Sequence, residues 1–175
     1  FSGKRIEDVR QKYHGARRAL GRKMGQDSKR RTRKNAQRAM KRIGNKEARF
    51  RRHENHVISK RLVTFCKDTQ RGIGLEDLKG IRERTRFRRS QRAKMGGWAF
   101  SQLRSFIEYK GKLYGVPVVI VNPRNTSRTC SQCGHCEKAN RQSQAEFECR
   151  ACGHAANADH NAAINIAAAA SINML

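Results

Sequence analysis

Four of the six cysteines in this 175-residue chain fall into two pairs, Cys130-x2-Cys133 and Cys149-x2-Cys152, with 15 residues between the pairs. That is the spacing of a structural zinc site built from two knuckles. Gly134 and Gly153 follow the pairs, where a small residue lets the backbone curl so that its amides approach the thiolates. Four thiolates complete a tetrahedron and leave no position for a catalytic water. The expected Zn2+ is therefore structural, pinning a ribbon poor in apolar residues. The competing use of the thiols, two disulfides, belongs to an oxidising compartment. No charged-then-apolar leader opens the chain at Phe1, so zinc is the expectation. His135, Cys136 and His154 lie nearby but a fifth ligand is not needed. Cys66 reads as a small core residue.

Two carboxylates offer a second chemistry. Glu76 lies near the end of the short apolar run Gly72-Ile73-Gly74-Leu75-Glu76-Asp77-Leu78, and Asp159 stands in Asn157-Ala158-Asp159-His160-Asn161-Ala162-Ala163 at the start of a helix. Convergent carboxylates can hold divalent cations for in-line attack at phosphorus. Each also has a plainer use: Asp159 can cap the helix it opens, and Glu76 can be an exposed charge at a strand end. Spacing alone leaves both uses open.

Around these groups the chain must build a frame. It carries 40 Lys and Arg against 14 Asp and Glu, a formal net charge of +26. Such a charge repels itself in the compact state, and polyanions relieve it, so nucleic acid is the first partner to consider. Hydrophobic residues make up 37% and aromatics 6%, which allows a core but not an even one. No apolar run approaches about 18 residues, so no membrane span is expected. Phe1 is not a methionine, and the sequence reads as a fragment with a cut at its start.

Between Phe1 and Phe65 there are 22 Lys and Arg against 5 Asp and Glu. Ala36, Ile43, Phe50 and Val57 recur every seven residues, with Met40, Ile58, Leu62 and Phe65 thickening the stripe into one long amphipathic helix. Ile6, Val9, Tyr13, Ala16 and Leu20 predict a helix before it, with Gly21, Gly25, Asp27 and Ser28 as the break and cap of a helical hairpin. The run at 72–78 reads as a buried strand whose glycines permit close backbone approach. Residues 79–97 read as a loop. Trp98, Phe100, Leu103, Phe106 and Ile107 have helical spacing, ended by Gly111 and Gly115. Val116 to Val121 is a continuous β-branched strand with Pro117 at its entrance. Strand, helix, strand implies an α/β core.

These pieces, in this order, resemble the transposon-encoded OrfB/TnpB family, which is related to the compact type V CRISPR effectors. The resemblance rests on Phe1-Ser2-Gly3-Lys4 and the basic hairpin, Gly74-Leu75-Glu76-Asp77-Leu78-Lys79, Trp98 to Lys110, Thr126-Ser127, both knuckles, and Asp159-His160-Asn161-Ala162-Ala163. It implies an RNase H-like (RuvC) core, incomplete at its N-terminus, over residues 1–125, a zinc ribbon at 126–156, and the last RuvC motif with a C-terminal helix at 157–175. It implies an RNA-guided DNA endonuclease, with guide RNA and DNA target as partners, in the cytoplasm of a prokaryotic cell at the nucleoid. Glu76 and Asp159 match two of the family's three catalytic carboxylates, which hold two Mg2+ ions. The first, an aspartate upstream of Phe-Ser-Gly, has no counterpart in these residues, so the fragment alone is expected not to cleave. Arg30, Arg31, Arg33 and Lys34 are expected to grip nucleic-acid backbone without reading bases. The Arg82 to Lys94 loop is a candidate lid, Trp98 a core residue, and the oligomeric state is left open. The competing reading is a non-catalytic zinc-ribbon module that clamps nucleic acid.

Overall fold

A computed structural model describes residues 4–26, 29–78, 100–143 and 145–172. Asp27, Ser28, Trp98 and the loop at 79–97 with its candidate lid lie outside the described residues. The chain divides into two compact units: the described residues of Phe1–Arg61 and Gly80–Phe106 form one, those of Leu62–Lys79 and Ile107–Leu175 the other.

The first unit contains the hairpin of α1 (Lys4–Gln26) and most of α2 (Arg30–Asp68). Arg5 meets Glu54 at 3.3 Å and Arg17 meets Glu47 at 2.6 Å. Partner numbers rise on one helix as they fall on the other, so the two run antiparallel. Glu47 and Glu54 are buried, a costly position for a carboxylate that the arginines offset. Ile6 is buried and Val9, Tyr13, Ala16 and Leu20 are half-buried, as their spacing predicts. Gly21 and Gly25 do not break the helix. Both lie inside α1, and a Cβ at Gly21 would sit 4.0 Å from the Met40 methyl, within the hairpin seam.

One expectation about α2 is corrected. Phe65 is 55% exposed, whereas Ser59, Val63 and Cys66 are buried. At about 100° per residue, Phe65 continues the face of Ala36, Glu47 and Glu54, the face on which Glu54 meets Arg5 of α1. Beyond Glu54 the helix changes partner. Asn55 donates to Gln102 at 3.1 Å and His56 stacks on Phe106 at 3.9 Å, so the buried face turns by roughly a third of the circumference.

In the second unit β1 (Ile73–Glu76) pairs in parallel with β2 (Val118–Val121), Ile73 opposite Val118 and Glu76 opposite Val121. Only Ile73 and Val121 are buried; the other strand residues are half-buried, less covered than their apolar run predicts. α3 (Phe100–Tyr114) precedes β2, and α4 (Ala158–Ile172) packs on the strands. Gly74 has the close approach its type predicts: a Cβ there would lie 2.9 Å from Ala170 Cβ and 3.2 Å from the Ile166 carbonyl of α4. Gly111 does not end α3. It lies within the helix, where a Cβ would stand 2.5 Å from Val118 Cγ2, and the turn falls to Gly115 at φ +69°. No helix among the described residues is long and apolar enough to cross a membrane.

Candidate metal centres

The four paired cysteines meet. Their sulfurs all lie within 4.8 Å of one another, the one such set of three or more metal-ligating side chains among the described residues. Cys130 and Cys152 sulfurs are 3.7 Å apart and those of Cys133 and Cys149 3.6 Å. A disulfide needs about 2.05 Å. A tetrahedron with metal–sulfur bonds of about 2.3 Å has an edge near 3.8 Å. The set therefore fits a tetrahedral thiolate centre and excludes disulfides in this arrangement.

The two knuckles are built alike. The Cys130 amide donates to the His135 carbonyl and the Gly134 amide to the Cys130 carbonyl, at 2.9 and 3.0 Å; Cys149, His154 and Gly153 repeat this at 2.9 Å each. Gly134 and Gly153 have φ of +76° and +72°, where a side chain is strained. β3 (Glu146–Glu148) and β4 (Ala155–Asn157) pair antiparallel behind the second knuckle. The ribbon's core is Phe147, Ala158 and two of the cysteines themselves, too little apolar surface to hold a fold without further ties. In the metal-free state, burial opposes ionisation of Cys149, yet the amides of Cys152 and Ala151 with the Cys133 and Cys152 thiols bring it down to about 6. At Cys152 the His154 amide favours the thiolate but is outweighed by the Cys133 sulfur, burial and the remaining thiols, which push it up to about 12. The sulfurs compete for negative charge that a cation would let all four carry.

Asn140 is a tie the sequence does not announce. Fully buried, its amide donates to the carbonyls of Arg128 and His135 at 2.9 and 3.1 Å while its oxygen accepts the Arg150 amide at 2.9 Å, joining the knuckles. Cys136 is exposed. Cys66 is buried, and burial raises its thiol above 9.0 against the pull of Arg71.

Asp159 does not cap α4. Asn157 does, its side-chain oxygen accepting the amides of Asp159 at 3.0 Å and His160 at 3.2 Å. Asparagine and aspartate cap about equally well, and Asn157 stands where the first free amides can reach it. Asp159 thus sits in the first turn with its side chain 79% exposed and one oxygen 3.6 Å from Arg141. It precedes Ile166 and Ala170 by seven and eleven residues, on the edge of α4 that meets Gly74.

Glu76 lies two residues beyond Gly74, on the same face of β1. Its carboxylate accepts the Thr126 hydroxyl. The segment after β2 then follows α4 toward its start: Asn165 donates to the carbonyls of Thr126 and Thr129, and Asn161 donates to Thr129 and accepts the Ser131 amide. The strand end carrying Glu76 therefore faces the N-terminal part of α4. Each carboxylate is engaged by its own partner, Glu76 by Thr126 and Asp159 by Arg141. Asn161 and Asn165, four apart in an alanine-rich helix, were a legible polar stripe; Thr126 and Arg141 had no periodic signal.

On the first unit, Arg30, Arg31, Arg33 and Lys34 are all exposed on the first turns of α2. Arg30, Arg31, Lys34, Asn35 and Arg38 line one open hollow with no acidic residue among them.

The family described as Cas12f1-like, TNB domain, matches residues 100–166. The CRISPR-associated endodeoxyribonuclease Cas12f1 of Sulfoacidibacillus thermotolerans is 40% identical over 127 residues, 71% of this chain and 28% of that protein. A TnpB-like protein of Methanocaldococcus jannaschii is 37% identical over 112 residues, 63% of this chain and 40% of that protein. The fold matches a chain in the cryo-EM structure of a Cas12f1–sgRNA–target DNA complex with a TM-score of 0.72 and 25% identity, over 95% of this chain and 42% of that one. The chain thus spans less than half of these proteins.

Proposed function

We propose, on the premise that this chain is related to the TnpB and Cas12f proteins, that it is the carboxy-terminal part of an RNA-guided DNA endonuclease with an RNase H-like core. The observation that supports this reading is the packing of α4 on β1, the elements that carry Asp159 and Glu76, with the capping duty of Asp159 taken by Asn157. A module that only clamps nucleic acid gains nothing from carboxylates along a phosphate path, where they repel it.

Glu76 and Asp159 would hold divalent cations, Mg2+ in the cell, which lower the pKa of an attacking water and stabilise the leaving oxygen. Oxygen ligands of this kind suit a hard cation, and Asp159 is open to it. Glu76 would present the oxygen that Thr126 does not hold. The thiolate centre would bind Zn2+ as a closed structural site, keeping the ribbon folded against the start of α4. Arg30, Arg31, Arg33 and Lys34 would pair with guide or target backbone.

The test is a DNA cleavage assay on the protein as its gene encodes it, programmed with its guide and supplied with Mg2+. Glu76→Gln and Asp159→Asn should each lower cleavage by at least about a thousandfold, on the scale of roughly 4 kcal/mol of barrier, while DNA binding persists. Undiminished cleavage by either variant contradicts the reading. A polypeptide of the 175 residues alone, which offers these two carboxylates to the site, is expected not to cut.

A further inference from the structure

We infer that Thr126 is a positioning residue for Glu76, and that Asn165 fixes Thr126, so that the grip of α4 on the segment leading into the ribbon sets the geometry of the carboxylate. The inference rests on the reading of Glu76 as a cation ligand and adds to it the means by which that ligand is held.

Glu76 is the last residue of β1, where the ladder to β2 ends at Val121 and a side chain has no strand beyond it for support. A glutamate there has three rotatable bonds, and as a ligand it needs one orientation. The Thr126 hydroxyl lies against Glu76 Oε1 and 3.2 Å from the Pro123 carbonyl. It has one proton, and the carboxylate is the stronger acceptor. Donation to Oε1 leaves Oε2 for a cation and fixes the plane of the carboxylate, as outer partners of metal-ligating groups do.

Thr126 is itself held from behind. The Asn165 amide nitrogen donates to the Thr126 carbonyl at 2.9 Å and to the Thr129 carbonyl at 2.7 Å, bracketing the turn that ends at Cys130. One helical turn earlier, Asn161 is fully buried, donates to Thr129 at 2.8 Å and accepts the amide of Ser131 between the first two thiols at 3.0 Å. An unbroken run of hydrogen bonds therefore links the first knuckle, α4, Thr126 and Glu76. Three of its members are neutral side chains and add no charge to the cation site, so their effect on binding is through geometry.

Manganese binding to the zinc-loaded chain tests this, read by the loss of free Mn2+ EPR signal and by paramagnetic broadening of amides near Glu76 and Asp159. Glu76→Gln reports on the reading itself: unchanged Mn2+ affinity would sink that reading independently of Thr126. Given a loss with Glu76→Gln, Thr126→Val, which keeps the shape and removes the hydroxyl, should weaken Mn2+ about tenfold, at the lower end of what outer partners of metal ligands contribute. Thr126→Ser should restore binding to within about twofold of wild type. Asn165→Ala, which touches neither carboxylate, should weaken Mn2+ several-fold while the thiolate centre keeps its metal. Full affinity in Thr126→Val, or equal losses in the Val and Ser variants, overturns the inference. If Thr126→Val does not fold, the Ser and Asn165→Ala arms decide: wild-type affinity in Asn165→Ala overturns the link.

Discussion

A residue's chemistry here depends on what has been arranged around it, and the cysteines make the contrast sharp. Cys130, Cys133, Cys149 and Cys152 are gathered to distances that suit one tetrahedral cation, Cys136 is exposed and Cys66 is buried. Iodoacetamide mapping should follow these surroundings. Cys136 should alkylate at neutral pH with or without chelator, and the four paired thiols only after chelation. Cys66 should lag behind all of them. Burial raises its folded pKa above the ordinary thiol value, so the preference for the buried neutral thiol is whole below the ordinary value and fades as pH climbs through the folded one; its alkylation should therefore accelerate at higher pH than that of the exposed Cys136. Early labelling of Cys66, or labelling of the paired thiols in the metal-loaded chain, would contradict these assignments. The knuckles were legible because their ligands are local in sequence. Asn140 was not, since its burial depends on carbonyls and an amide at 128, 135 and 150, a meeting that no window along the chain contains. Asp159 was half legible: the helix start was readable, but that Asn157 caps it depended on which side chain faced the free amides.

Elements are where glycine separates two kinds of position. Gly74 lies under α4, and Gly74→Ala should destabilise the fold by about 1–3 kcal/mol through overpacking, because a Cβ would press on the backbone of Ile166 as well as on Ala170. Gly44 lies mid-way in α2 with nothing within 4 Å of its Cβ position, so Gly44→Ala should stabilise by about 0.5–1 kcal/mol. Urea melts of both variants check the pair, and opposite signs are the expected result. The helices themselves were legible from periodicity, and α2 runs 39 residues as the stripe implied. What periodicity could not supply was the change of partner along it: Glu47 and Glu54 face α1, Asn55 and His56 face α3, and Phe65 was misassigned because a stripe records that a face is covered, not by what. Gly111 was misread for the same reason. Its small size serves the approach of Val118 rather than a stop.

At the scale of the whole molecule, a net charge of +26 repels itself in the compact state and favours a polyanion, and the exposed start of α2 carries a hollow lined by four of its cations. Replacing Arg30, Arg31, Arg33 and Lys34 together by alanine should weaken DNA and RNA binding alike and reduce the slope of log K against log salt by up to about 0.9 for each duplex-DNA phosphate that is no longer neutralised. An unchanged slope would remove these residues from the interface. Net charge was legible at once; whether Glu76 and Asp159 meet was not, because they are far apart in sequence and their elements come together only through the packing of α4 on β1. The central claim is that they share a cation, and the most direct measurement is anomalous diffraction from crystals of the zinc-loaded chain soaked in Mn2+. A single manganese peak bridging both carboxylates, with oxygen distances near the roughly 2.1 Å of a small hard cation, is the predicted result. Manganese bound to only one of them, or to neither while other surface carboxylates are occupied, would contradict it.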